Sequence, residues 1–387
     1  MGDISESSGT SRFTALDGLR GLSALVVLIH HCLLVSPLLA VAVNTDGTGT
    51  FEPWVWWVTF TPFHLFWAGH EAVYVFFILS GFVLTLPFTG PAQPNWEAYF
   101  PRRLIRIYLP VWVSLCIALV TVWVVPRVSS LELSSWVNSH DEVHDPMGDA
   151  FLLGGTGALN SPLWSLQWEM IFSLLLPLYV AAGRRFRRWW PLVAAMLVVV
   201  IAAGNIMYLA VPVYMPMFGV GVLMAWGRED LHRWAARLRH AQWFGLLTLA
   251  GILLCAQWIA YQSQIYIALA TVGGSLLVFA FVAWPPTIRL GNSPVLRWLG
   301  GRSFSLYLIH EPVVLAITFG MKSSDVLLVA VFGIPVSLLA AELFFRLVEQ
   351  PSQKLAISGG KLSESMGRRV KSLVWRGFRQ RLRQSVS

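Results

Sequence analysis

Charge is what this sequence has least of. Only 12% of its 387 residues are Asp, Glu, Lys or Arg, against 56% hydrophobic, and the mean hydropathy is +0.62. A soluble domain carries about 25% charged residues, so an ordinary water-soluble protein is excluded and the composition is that of a polytopic membrane protein. Cysteine is also sparse. Cys32, Cys116 and Cys255 all fall in apolar runs, which suggests no extracytoplasmic disulfide framework and reads as small packing residues. Asp141, Glu142, His144 and Asp145 form a polar cluster without the ligand spacing of a metal site, so a solvated loop is expected and no metal. The first fifteen residues are Ser-rich with only Arg12 basic. No small-residue cleavage site follows, so no cleaved signal peptide is expected. The two halves show no internal repeat of the kind transporters carry.

Long apolar runs are what the chain does have. Candidate spans cover residues 19–43, 72–86, 107–125, 163–182, 189–209, 211–226, 243–261, 265–284, 304–319 and 326–348, and an all-α bundle of about ten transmembrane helices is expected. With that count, all of the 28 Lys and Arg except Arg127 and Lys322 fall on one side. The positive-inside rule then puts both termini in the cytoplasm of a multi-pass cell-membrane protein. The net charge of +8 is therefore an orientation signal, not a nucleic-acid footprint. Residues 1–350 read as one transmembrane domain. Residues 351–387 read as a basic amphipathic tail on the anionic inner leaflet. The outer segment 44–69 holds Trp54, Trp56, Trp57, Phe60, Phe63, Phe66 and Trp67, which reads as an interfacial belt, with a lid over sugar or lipid as the functional alternative.

Residues 16–31, LDGLRGLSALVVLIHH, place an acid, an arginine and two histidines in an apolar helix. A charge in a spanning helix costs ~2.5–3.5 kcal/mol or more, which makes these residues functional candidates. The step from Arg20 to His31 completes three turns, returns to within about 20° and rises roughly 16 Å. The two share a line, while His30 projects about 100° aside.

That stretch and four more in order, 69–84 (GHEAVYVFFILSGFVL), 102–110 (RRLIRIYLP), 163–172 (LWSLQWEMIF) and 300–312 (GGRSFSLYLIHEP), resemble the membrane acyltransferase-3 family. Its members move acyl groups from acyl-CoA to extracytoplasmic hydroxyls. The resemblance implies an integral-membrane O-acyltransferase, in the stand-alone form without an esterase-like domain. Acetyl-CoA or another short acyl-CoA is then the co-substrate, with no permanently bound cofactor. The acceptor is a hydroxyl of a sugar, glycan, glycolipid or glycosylated small molecule. Arg103 and Arg106 match the family's paired-arginine motif for the donor, with Arg20 at the same face and Asp17 one turn earlier to hold it by a salt bridge. His31, a pantetheine arm's length away, is the expected general base.

A base normally has an orienting partner. Glu169 and Glu71 are both candidates to pair with His31 or to receive the acceptor. Tyr74 stands where the family often has an acid, which makes Glu71 more interesting. His310 resembles a motif histidine and reads as supporting rather than catalytic, and Ser303 and Ser305 as close-packing residues. A covalent acyl-histidine or acyl-cysteine relay is a variant, although Cys32 points about 100° from His31. The rival class is a transporter or flippase, suggested by a sixth segment apparently broken by Pro212 and Pro216.

Overall fold

The computed structural model describes residues 7–45, 49–90, 95–141, 146–152, 159–260 and 264–384, with side chains from Thr14 to Gly367. Glu142, His144 and Asp145, the first six residues and the tail side chains from Arg368 onward lie outside that description. The described residues are helical, without a strand. The bundle is built from α1 (Ser7–Leu34), α2 (Gly69–Thr85), α3 (Trp96–Val124), α4 (Leu163–Phe186), α5 (Trp190–Ile206) and α6 (Ala210–Trp226). It continues with α7 (His240–Leu254), α8 (Tyr266–Ala283), α9 (Pro294–Met321), α10 (Val326–Phe344) and α11 (Gln350–Gln384). Polar caps mark where the chain enters apolar helix. The Asn95 side chain accepts from Ala98 N at 3.1 Å to start α3, and Asp325 accepts from Leu327 N at 2.9 Å to start α10, satisfying amide groups that lack an intrahelical partner.

This is a multi-pass membrane protein. Among the described residues seven helices are long and apolar enough to cross a bilayer, or eight if α6 and the following Arg228–Ala235 helix, bent by 70°, count as one span. This is fewer than the ten apolar runs. One reason is that α6 and α7 have 17 and 15 residues, short of the ~20 that cross a bilayer without thinning it. The other is that Leu163–Ile206 is a single stretch of 44 residues. Its halves nevertheless lie along the same helix in opposite directions. On α4, Trp168 meets Tyr214, Phe172 stacks on Phe218 and Gly183 lies under Trp226. On α5, Trp190 packs on Gly227, Leu197 on Gly219 and Gly204 on Pro212. The chain therefore turns back at Arg187–Trp189.

The prolines of α6 do not break it. Pro216 lies inside a continuous helix, and the bend falls after Trp226. The feature that suggested a transporter is thus absent from the place where the sequence put it.

Two close approaches set the position of the site. The first joins α1 to α9, which run parallel. A Cβ on Gly21 would lie 2.4 Å from Gly300 N, and one on Gly300 would lie 2.3 Å from Asp17 O. Only bare backbone allows this separation, and ten residues further along it leaves His31 facing His310. The second joins α1 to α2, where a Cβ on Gly69 would lie 2.5 Å from His30 Cγ.

Candidate active site

Three arginines from two helices meet beside the middle of α1. Arg20, Arg103 and Arg106 line a cavity of about 90 Å³ together with Ser80, Glu169 and Phe304. Arg103 is held on two sides, donating from Nε to Ser173 Oγ at 2.9 Å and from Nη2 to Glu169 Oε1. Glu169 also accepts from Ser80 Oγ at 3.4 Å. Arg20 and Arg106 make no hydrogen bond or ion pair among the described residues, so their guanidinium groups are free to take an anion. The expected pairing of Asp17 with Arg20 is not made. Asp17 feels Arg20 and Arg106 only through longer-range attraction, because Arg20 turns into the cavity instead of along the helix surface.

Two smaller spaces lie between this cavity and the histidine end of α1. Arg20, Glu169 and Phe304 also line a second space, of about 30 Å³, with Ser165 and Tyr307. Tyr307 in turn lines a third, of about 40 Å³, with His30, His31, His70, Ser161 and Trp164. The three spaces adjoin in a row, with Arg20, Glu169 and Phe304 in the wall between the first two and Tyr307 in the wall between the last two. Tyr307 stands at the junction, donating to the Pro162 carbonyl at 3.0 Å and lying 2.7 Å from Ser165 Oγ.

Hydrogen bonds at the far end decide which nitrogen of His31 is free. His310 Nδ1 lies 2.9 Å from the Leu306 carbonyl, an acceptor only, so Nδ1 carries the proton and Nε2 has a lone pair. His310 Nε2 lies 2.7 Å from His31 Nδ1. In the neutral pair His31 must donate from Nδ1, and its own Nε2 is left as a base. Glu311 Oε2 lies 3.6 Å from that Nε2. It is near enough to stabilise an imidazolium and is itself fully buried. Trp136 stacks on the His31 ring with centroids 5.2 Å apart.

Glu311 is fixed from the loop before α4. Ser161 N donates to Oε1 at 2.5 Å, Ser161 Oγ donates to Oε2, and His140 Nε2 lies 3.7 Å from Oε1. Asn160 Nδ2 clips the same loop to α9 by donating to the Leu308 carbonyl at 2.9 Å. Arg127, basic on the otherwise charge-poor side, donates to the carbonyls of His140 and Leu159 at 3.2 and 3.3 Å. It is buried structural charge and not an orientation signal.

Several expectations change. Glu169 does not reach His31: it holds Arg103 in the arginine cavity. Glu71 does not reach it either, because it accepts from Trp258 Nε1 at 2.9 Å on another side of α2. The acid beside His31 is Glu311, adjacent to a residue the sequence did single out. His30 is turned aside as expected, with Nδ1 2.8 Å from the Trp67 carbonyl, yet it still lines the histidine cavity. His70, Trp136, His140 and Ser161 were not identified from the sequence as parts of the site.

Three arginines line one cavity inside this membrane-embedded bundle and three histidines line another, and comparison with known proteins gives the class of the protein. A family model described as an acyltransferase domain matches residues 13–346, and the chain belongs to this acyltransferase-3 family. It is similar to the acyltransferase MdmB of Streptomyces mycarofaciens, at 26% identity over 78% of this chain and 79% of that one. It is also 26% identical, over 74% of its length, to YrhL of Bacillus subtilis (strain 168), whose name proposes a peptidoglycan O-acetyltransferase; the match spans 51% of that protein. A third relative is the O-acetyltransferase PaAT-1 of Phomopsis amygdali, 26% identical over 44% of this chain and 40% of that one. No solved structure matches. The protein is an O-acyltransferase.

Proposed function

We propose that the protein transfers a short acyl group, acetyl in the first instance, from cytoplasmic acyl-CoA to a hydroxyl of an extracytoplasmic sugar, glycan or glycolipid. The observation that carries this reading is the run of adjoining cavities from Arg20, Arg103 and Arg106 to His31. Along α1 these ends are roughly 16 Å apart, which suits a donor held by its phosphates with its thioester carried along the cavity. The names of the Bacillus and Phomopsis relatives support acetyl as the group, and the former supports an envelope glycan as acceptor.

In the reaction, His31 Nε2 takes the proton of the acceptor hydroxyl as that oxygen attacks the thioester carbonyl. Glu311 steadies the imidazolium that forms. Collapse of the tetrahedral intermediate breaks the C–S bond, and the imidazolium proton passes to the departing CoA thiolate, so that ester and free CoA leave and the base is restored. The distribution of arginines supports termini on the cytoplasmic side and residues 44–69 and 126–162 outside.

Donor binding gives a direct test. Arg106→Ala and Arg103→Lys should each weaken acyl-CoA affinity by about tenfold, because each removes a guanidinium suited to planar phosphate contacts. Arg239→Ala, an exposed arginine beyond the arginine cavity, should change affinity less than about twofold, as expected of a general field. Isothermal titration with a nonhydrolysable acyl-CoA reads all three. Equal losses would reduce the arginine cavity to ordinary membrane topology.

A further inference from the structure

A cavity larger than the one that holds the histidines lies apart from it. About 490 Å³ lies between α1, α2, α7 and α8, a volume in the usual range for a small-molecule site. Its α1 wall is the stripe Leu22, Val26 and Ile29, its α7 wall includes Leu247 and Leu254, and nearly everything else lining it is apolar. From Leu19 to Ile29 it follows α1 for ~15 Å, about half of a ~30 Å hydrocarbon core. That is the middle of the apolar stretch Thr14–Leu34. At its histidine end the rim carries Leu65 and Phe66, the latter 68% exposed, next to the aromatic helix Pro53–Thr59.

One carboxyl group breaks this apolar lining. Glu71 is 2% exposed and lines the cavity. Its Oε1 accepts from Trp258 Nε1, whereas Oε2 is buried with no hydrogen-bond partner among the described residues. An unsatisfied buried oxygen costs about 1–3 kcal/mol, and an apolar wall cannot relieve it. A ligand with an aliphatic chain and a hydrogen-bond donor near its polar end would fill the space and satisfy the oxygen together.

We propose that this cavity binds one aliphatic chain of a membrane lipid, and that a hydroxyl where the chain meets the headgroup donates a hydrogen bond to Glu71 Oε2. The site is separate from the adjoining cavities, lies on the other side of α1 and α2 from His31, and does not depend on the acyl-transfer reading.

The test uses the intact protein in phosphatidylcholine nanodiscs containing a long-chain alcohol with a mid-chain diazirine, or its methyl ether at the same mole fraction. After photolysis, mass spectrometry locates and counts the adducts. The alcohol should label the α1 and α7 walls about tenfold more than the ether, which cannot donate. Glu71→Gln keeps an acceptor for Trp258 and replaces the free oxygen by an N–H group, so the fold is kept and the preference should fall to about one. Leu247→Trp should obstruct the cavity and lower labelling of both walls. Equal labelling by alcohol and ether in the wild type would overturn the proposal, as would a preference that survives Glu71→Gln or labelling untouched by Leu247→Trp.

Discussion

His31→Ala should abolish acyl transfer, with a fall in kcat of about 10³-fold or more, while acyl-CoA binding stays within about twofold of wild type. The two effects separate because the base and the arginines stand at opposite ends of the adjoining cavities, so removing the ring leaves Arg20, Arg103 and Arg106 in place. The imidazole contributes little to cohesion that cannot be checked: it contacts His310 and Trp136, and a loss of packing alone would lower folded yield and donor affinity together. Transfer and affinity should therefore be measured on variants matched by size-exclusion profile. His30→Ala is the comparison within the same helix. That ring is held by the Trp67 carbonyl and does not touch His310 or Glu311 within hydrogen-bonding distance, so its loss should be milder. A His31→Ala enzyme turning over near the wild-type rate would end the general-base mechanism.

Glu311→Gln should lower kcat by about 10²-fold with KM for acyl-CoA nearly unchanged, which corresponds to ~2.7 kcal/mol of lost transition-state stabilisation. The carboxylate lies 3.6 Å from the nitrogen that becomes charged, in a fully buried setting where an opposite charge acts strongly. Glutamine has the same shape and can still accept from Ser161 N, so the loop before α4 keeps its anchor. Full deletion is less informative, since breaking a buried charged pair from one side destabilises by about 3–5 kcal/mol. Glu311→Asp should recover part of the rate by restoring charge at a longer distance. If glutamine matched glutamate in kcat, the acid would serve only to hold Ser161 and His140.

Helical periodicity explains what the sequence made legible. Arg20 and His31 lie on one line of one helix, so their joint exposure to the cavities follows from 100° per residue with no knowledge of neighbours. Arg103 and Arg106 share a helix face three residues apart, but it was the resemblance of RRLIRIYLP to the family's motif that singled them out. The positions of the two acids were not legible. Depth along α4 placed Glu169 in the membrane but could not say whether it faced α1 at its histidine end or α3, and the Arg103 guanidinium decides that. Glu71 likewise lies near His70 in the chain yet turns to Trp258. Glu311 was visible within 300–312 but adjoins His310 on a helix, where successive side chains diverge; only the parallel packing of α1 on α9 brings both to His31. Ser161 lies 150 positions before Glu311 and His140 further still, and no local pattern encodes such contacts. The number of crossings was blurred by α6 and α7, which are short, and by the reversal at Arg187–Trp189, where the helix hardly interrupts.

The central claim is that the arginine end receives the donor while the histidine end serves the acceptor, and sidedness tests it most directly. The protein is reconstituted in sealed liposomes, and the fraction with the C-terminal tail inside is selected by affinity capture through an added tag. Acetyl-CoA is then confined to the lumen and a soluble glycan acceptor supplied outside. Acetylated glycan should accumulate outside with one free CoA released inside per ester formed, and His31→Ala vesicles should give neither. Swapping the compartments should stop the reaction. Equal transfer from either side, or transfer only with acetyl-CoA at the histidine face, would contradict the account.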